Sequence, residues 1–224
     1  SRIQQSIREG DQGDSLRSRW EDEINMFLSE MNQYDSNISA IYFFAENGVF
    51  AQSKFYRARV TDLAADPLYQ EACRQGKTIW RQPQNGSSVA VTTSSERVIA
   101  TATPVQDIRT GEYAGMVVIE MEEKRLAAYL ETGIGKGGFL YVCDENGTPI
   151  VCPPDLGLEG VEERLRQNEA SPLFGSGGLT IRQELQACNW SVIGVIPRAD
   201  LMDNVSSIIR MTILICAILL VIAG

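Results

Sequence analysis

The side chains best able to do chemistry are carboxylates, because the 224 residues include no histidine. Without histidine the chain has no Ser-His or Cys-His nucleophilic pair and no imidazole for a metal or for phosphoryl transfer. Acids cluster at Glu122-Glu123-Lys124-Arg125 and at Glu162-Glu163-Arg164-Leu165-Arg166. Adjacent acids on a helix point about 100 degrees apart, so neither pair converges on one substrate atom, and a solvated helix face accounts for both. A further candidate is Gly133-Ile134-Gly135-Lys136-Gly137-Gly138, which satisfies G-x-G-x-x-G. That motif holds a dinucleotide only when a strand precedes it and a helix follows, so that the helix N-terminus meets the pyrophosphate. Here a helix at 122–132 precedes and a strand at 139–143 follows, so the run reads as a helix stop and a linker. The segment therefore shows no catalytic constellation, no metal site and no cofactor.

Composition narrows the classes further. A hydrophobic content of 44% supplies one large or two small cores and excludes disorder as the main state. With 20 Lys and Arg against 29 Asp and Glu, the net charge of −9 opposes nucleic acid as a partner. Of five cysteines, Cys216 lies in the apolar C-terminal run. Cys73, Cys143, Cys152 and Cys188 remain, with three possible pairings if all bond and buried free thiols as the plainer alternative.

Leu16, Trp20, Ile24, Phe27, Leu28, Met31 and Ile38 recur at steps of three and four, which predicts one long amphipathic helix within 1–39. At the other end, residues 211–224 contain one polar side chain, Thr212. Fourteen helical residues reach about 21 Å, short of the roughly 30 Å of bilayer hydrocarbon. The run is apolar on every side, so 204–224 reads as the start of a membrane helix that continues past the end. The first residue is Ser with no signal-peptide pattern, and the N-terminus reads as cut. The soluble part is then a loop held by both ends on one face of a bilayer, with 1–206 outside the cytoplasm.

The middle holds one module twice. Residues 41–51 and 140–151 each read as two short strands around Asn-Gly, and the Glu-Asn-Gly triplets at Glu46 and Glu145 lie 99 residues apart. In each copy a later strand runs into a helix, at 117–126 and at 192–201. The first module, 40–132, adds a helix at 61–75 and strands at 78–81, 88–93, 97–105 and 113–121. The Gly-rich linker spans 133–138. The second module, 139–203, adds a helix at 161–167 and strands at 179–185 and 190–196. Chained hairpins with helices on one face make an antiparallel α+β fold.

This order of elements resembles the double-Cache extracytoplasmic sensor domains, which place two PAS-like modules between a long N-terminal helix and a membrane helix. The runs Asp66-Pro67-Leu68-Tyr69, Gly76-Lys77-Thr78-Ile79-Trp80, Ala100-Thr101-Ala102-Thr103-Pro104-Val105 and Gly115-Met116-Val117-Val118-Ile119-Glu120 are similar to the membrane-distal module. Tyr141 to Gly147 and Trp190 to Pro197 are similar to the proximal one. The wording is most similar to sensor histidine kinases of Gram-positive bacteria, often associated with sugar uptake. The resemblance implies a kinase segment after residue 224, a homodimer through the N-terminal helix, and a small-molecule ligand of sugar-like type or a ligand-binding partner protein. A chemoreceptor, a cyclic-dinucleotide enzyme, or a membrane-anchored adhesion protein with no cytoplasmic output are the alternatives. Amino-acid-binding members carry Arg-x-Trp-Tyr where this chain has Asp66-Pro67-Leu68-Tyr69, so an amino-acid ligand is not supported. The resemblance places the ligand site at Tyr56, Arg57, Tyr69, Trp80, Arg81, Thr101 and Thr103, with aromatic faces for stacking and Arg and Thr as polar anchors. Core packing of Trp80 and Tyr69 and a solvated face for the rest are the alternative.

Overall fold

The computed structural model describes residues 14–54, 56–131, 137–169 and 178–197. The described residues fall in two compact units, one within Ser1–Leu126 and one within Ala127–Gly224.

In the first unit, α1 (Asp14–Tyr34) is followed by β1 (Ile38–Ala45), β2 (Phe50–Gln52), β3 (Arg57–Ala58), α2 (Pro67–Gln75), β4 (Ile79–Asn85), β5 (Ala90–Val91), β6 (Arg97–Gln106) and β7 (Tyr113–Glu122). Five of these strands form an antiparallel sheet in the order β2-β1-β7-β6-β4, while β3 and β5 pair separately. Side chains alternate across a strand, so the sheet has two apolar faces. Ile41, Phe43 and Ala45 meet Ile24 and Leu28 of α1, and Tyr42, Phe44, Met116 and Val118 meet Leu68, Tyr69 and Ala72 of α2. Ile24 and Leu28 are almost fully buried, each worth about 2 kcal/mol in removed apolar surface.

The second unit holds β8 (Phe139–Cys143), β9 (Pro149–Val151), α4 (Gly157–Glu169), β10 (Gly178–Leu185) and β11 (Trp190–Pro197), after α3 (Glu123–Leu130), which spans the boundary. Its antiparallel sheet runs β10-β11-β8-β9. Reversed, that order matches β2-β1-β7-β6 of the first sheet, with β9, β8, β11 and β10 in the corresponding places. The hairpin turns repeat as well. Ala45 N–H donates to Val49 O at 2.9 Å and Gly48 N–H to Ala45 O at 2.9 Å; 99 residues on, Asp144 N–H donates to Thr148 O at 3.0 Å and Gly147 N–H to Asp144 O at 3.1 Å. Gly48 and Gly147 take φ of 84° and 82°, a region a Cβ disfavours, which is why glycine follows asparagine in both turns.

Five expectations need correction. Helices cover both faces of the first sheet, not one, because α1 and α2 each bury an apolar stripe on opposite sides. The helix expected at 61–75 begins at Pro67, since a residue before proline is held extended; Asp66 has ψ 124° and caps the helix. The α1 helix ends at Tyr34, where Asp35 closes a turn by accepting from Asn37 N–H at 2.9 Å, and Ile38 starts β1. The strand expected at 88–93 is two residues long and pairs with β3 outside the main sheet. The helix expected at 161–167 spans Gly157–Glu169. No helix among the described residues is long and apolar enough to cross a membrane. The membrane helix expected at 204–224 and most of the 133–138 linker lie outside the described residues.

Candidate functional site

Met116, Val118 and Glu120 alternate onto the α2 face of β7, so a carboxylate stands in a row of core side chains. Glu120 is only 2% exposed. A buried carboxylate needs donors, and the loop before β5 supplies them. Glu120 Oε1 accepts from Ser87 Oγ at 2.8 Å, from Ser88 N–H at 3.0 Å and from Ser88 Oγ at 3.3 Å. Oε2 accepts none of these, and the ion pairs among the described residues leave Glu120 out.

Around this group lies a cleft of about 60 Å³, lined among others by Tyr42, Lys54, Tyr56, Ser87 and Glu120. The more exposed lining residues Tyr56, Ser94 and Glu96 mark its mouth. Tyr42 is fully buried, and its hydroxyl, near Glu120 and Ser87, makes no hydrogen bond of ordinary geometry with either. Burial, then the Glu120 charge, pushes the Tyr42 phenol well above its usual pKa, so it stays a neutral hydroxyl. The cleft thus presents a carboxylate and an unsatisfied hydroxyl together, an arrangement suited to a ligand that donates hydrogen bonds and carries positive charge.

A second, more voluminous cavity of about 320 Å³ lies at the β1–β2 turn, with Phe44, Phe50, Val60 and Leu63 as walls and Glu46 and Asp62 at its edge. Its carboxylates already have partners: Glu46 accepts from Tyr69 Oη at 3.0 Å and Asp62 from Ala65 N–H at 3.4 Å.

The seven residues expected at the site are dispersed. Tyr56 alone among them lines the Glu120 cleft. Arg57 is exposed on β3, opposite Val91. Tyr69 is buried under α2, and Arg81 pairs with Glu71 of α2 at 3.3 Å. Trp80 faces Thr101 in register, and their neighbours Ile79 and Ala102 belong to the α2-side core, so Trp80, Thr101 and Thr103 lie on the α1 side. There Thr103 Oγ1 and Thr78 Oγ1 are hydrogen-bonded at 2.8 Å. Sequence reasoning missed Glu120, Tyr42 and Ser87. The available signal was the parity of β7, which puts Glu120 on the same side as Met116 and Val118.

No protein-family model matches the chain, and no curated protein matches it by sequence. Solved structures do resemble it. The extracellular domain of mmHK1S-Z3, whose name assigns it to the histidine kinases, is 12% identical with a TM-score of 0.59, over 92% of this chain and 87% of that one. The ligand-binding domain of the Pseudomonas fluorescens chemoreceptor CtaA, in complex with L-alanine, is 16% identical with a TM-score of 0.58, over 89% and 85%. That of the Pseudomonas aeruginosa chemoreceptor PctC, in complex with GABA, is 16% identical with a TM-score of 0.51, over 81% and 90%. The fold is therefore that of extracellular sensor domains of histidine kinases and chemoreceptors, as the double-Cache resemblance implies.

Proposed function

We propose that this chain is the extracytoplasmic sensing part of a membrane receptor, and that its first unit binds a small cationic amine at the Glu120 cleft. The carrying observation is the pairing of a buried carboxylate that joins no ion pair among the described residues with a Tyr42 hydroxyl that has no hydrogen-bond partner among them. An ammonium group donates to the carboxylate and balances its charge, which a neutral sugar does not. A space of about 60 Å³ admits an ammonium head group, and a longer ligand has to extend through the mouth beside Tyr56. The solved neighbours held with L-alanine and GABA support the class, since both ligands carry an amine. This chain has no arginine at position 66 to clamp a ligand carboxylate; Asp66 Oδ1 instead accepts from Leu68 N–H at 2.9 Å and Tyr69 N–H at 3.0 Å to cap α2. The amine is thus the recognised group.

The output in this reading is a histidine kinase reached through a membrane helix at 204–224, with two PAS-like modules outside and a dimer along α1. A chemoreceptor output is the second reading, favoured by the likeness to the CtaA and PctC domains. The test is thermal unfolding of the purified chain with methylamine, GABA, L-alanine, L-arginine and glucose. Stabilisation by amines that rises with concentration and is absent with glucose supports the reading. Silence toward every amine, or an equal response to glucose, contradicts it.

A further inference from the structure

The mouth of the cleft is tied to the N-terminal helix through one residue, Gln52. Its backbone N–H points away from β1 at the sheet edge and donates to Asn25 Oδ1 of α1 at 2.6 Å. Its side-chain amide reaches the other way, donating from Nε2 to Tyr56 O at 2.7 Å and accepting from Tyr56 N–H at 2.8 Å, a proton Tyr56 shares with Lys54 O. Gln52 is also the register partner of Tyr42, the residue whose hydroxyl is unsatisfied in the cleft. A second stitch runs alongside: Ser29 Oγ of α1 donates to Ser53 O at 3.2 Å, and Ser53 N–H donates to Ile41 O at 2.8 Å.

We infer that Gln52 is a positioning residue that couples Tyr56 at the cleft mouth to α1, so that occupancy of the cleft is felt at Asn25. The inference rests on the cleft being the ligand site, and it adds the route by which that site reaches the helix. Coupling between two places is reciprocal: if a change at Asn25 moves Tyr56, a ligand that moves Tyr56 biases α1 by the same free energy. The alternative is that α1 and the cleft mouth are independent, in which case the three bonds of Gln52 only hold a loop.

The reciprocal direction can be read without any ligand, which separates this inference from the identity of the ligand. The chain is labelled with 3-fluorotyrosine, its seven tyrosines followed by fluorine NMR, and the Tyr56 signal assigned by its loss in Tyr56→Phe. Asn25→Ala removes the acceptor on α1 and is expected to shift the Tyr56 signal, while Asn25→Asp keeps an acceptor and is expected to leave it in place. Gln52→Ala is expected to shift it as well, and adding Asn25→Ala to Gln52→Ala is expected to move it no further, because the two act along one route. A Tyr56 signal unmoved by Asn25→Ala, or effects of the two substitutions that simply add, overturns the inference. If Asn25→Ala disperses all seven signals, Asn25→Ser, which keeps a polar side chain too short to reach Gln52 N–H, takes its place: a shift confined to Tyr56 supports the coupling, and none overturns it.

Discussion

Ser87 donates its hydroxyl hydrogen to Glu120 Oε1 at 2.8 Å across 33 positions of sequence. The same Ser87 Oγ accepts from Val89 N–H at 3.2 Å and Ala90 N–H at 2.9 Å. One buried hydroxyl therefore fastens the loop before β5 to the sheet and orients the carboxylate of the cleft. Ser87→Ala leaves the Val89 and Ala90 N–H groups without this acceptor and takes one of three donors from Glu120 Oε1, so we expect a loss of about 2–3 kcal/mol in urea unfolding. A loss under about 0.5 kcal/mol, the range of an ordinary surface change, would show that water replaces the hydroxyl at no cost.

Tyr42→Phe separates stability from binding. The wild-type hydroxyl is buried without a partner, so its removal should leave the unfolding free energy unchanged or raise it by up to about 1 kcal/mol. If the hydroxyl serves the ligand, the same substitution weakens amine-dependent stabilisation. A clear loss of stability would mean that the hydroxyl is satisfied in solution.

Trp80→Ala should behave in the opposite way. Trp80 is half-buried on the α1 side of the sheet, away from the Glu120 cleft. Truncation is expected to cost about 2 kcal/mol in packing while the thermal shift caused by amines persists. Loss of the amine response with the fold intact would return Trp80 to the ligand site.

The Glu122 carboxyl supplies a pH test. Burial raises its pKa, but Arg125 at 3.1 Å and Lys124 at 3.5 Å outweigh it and hold the group below the usual glutamate range. A carboxylate so depressed stabilises the fold above its unfolded value of about 4.3, and that contribution is lost as pH falls through the folded value. Glu122→Gln should therefore melt earlier than wild type at pH 7, with the gap closing below about pH 4. Glu123 next to it is shifted upward by burial despite Arg97, and its contribution cancels when variant and parent are compared at each pH. A melting gap that is constant with pH would refute the ion-pair account.

Among the described residues Cys73, Cys143, Cys152 and Cys188 form no disulfide, and the strand register explains why Cys143 and Cys152 are not bridged. Val142 faces Val151 and Cys143 faces Pro149, so Cys152 falls opposite Tyr141 rather than opposite Cys143. Burial raises the thiol pKa of Cys143 and also of Cys73 and Cys188, so access decides the order: Cys143 and Cys152 are buried, while Cys73 and Cys188 are half-buried. Iodoacetamide under native conditions should label Cys73 and Cys188 ahead of Cys143 and Cys152, read by peptide mass spectrometry. A Cys143–Cys152 cross-linked peptide would contradict this register.

Much of the fold was legible because strand alternation and Asn-Gly turns are local signals. The paired hairpins at Asn47-Gly48 and Asn146-Gly147 follow from backbone preferences alone. The face on which a strand residue lies is not local. Trp80, Thr101 and Thr103 sit away from Tyr56 because β4 and β6 pair with Ile79 and Ala102 turned toward α2, and only the assembled sheet decides that. Likewise Asp62 and Asp66 both look like helix caps, and Pro67 selects the second. Glu120 was readable as an acid at a core-facing position, but its meaning depends on Ser87 and Tyr42, which arrive from distant segments.

The most direct test of the central claim is calorimetric titration of GABA and methylamine into the wild-type chain and into Glu120→Gln. The account predicts saturable binding to wild type and at least a tenfold weaker constant, about 1.4 kcal/mol, for the amide variant. Equal affinities for the two proteins, or heats in neither, would show that the Glu120 carboxylate is not what the amine meets.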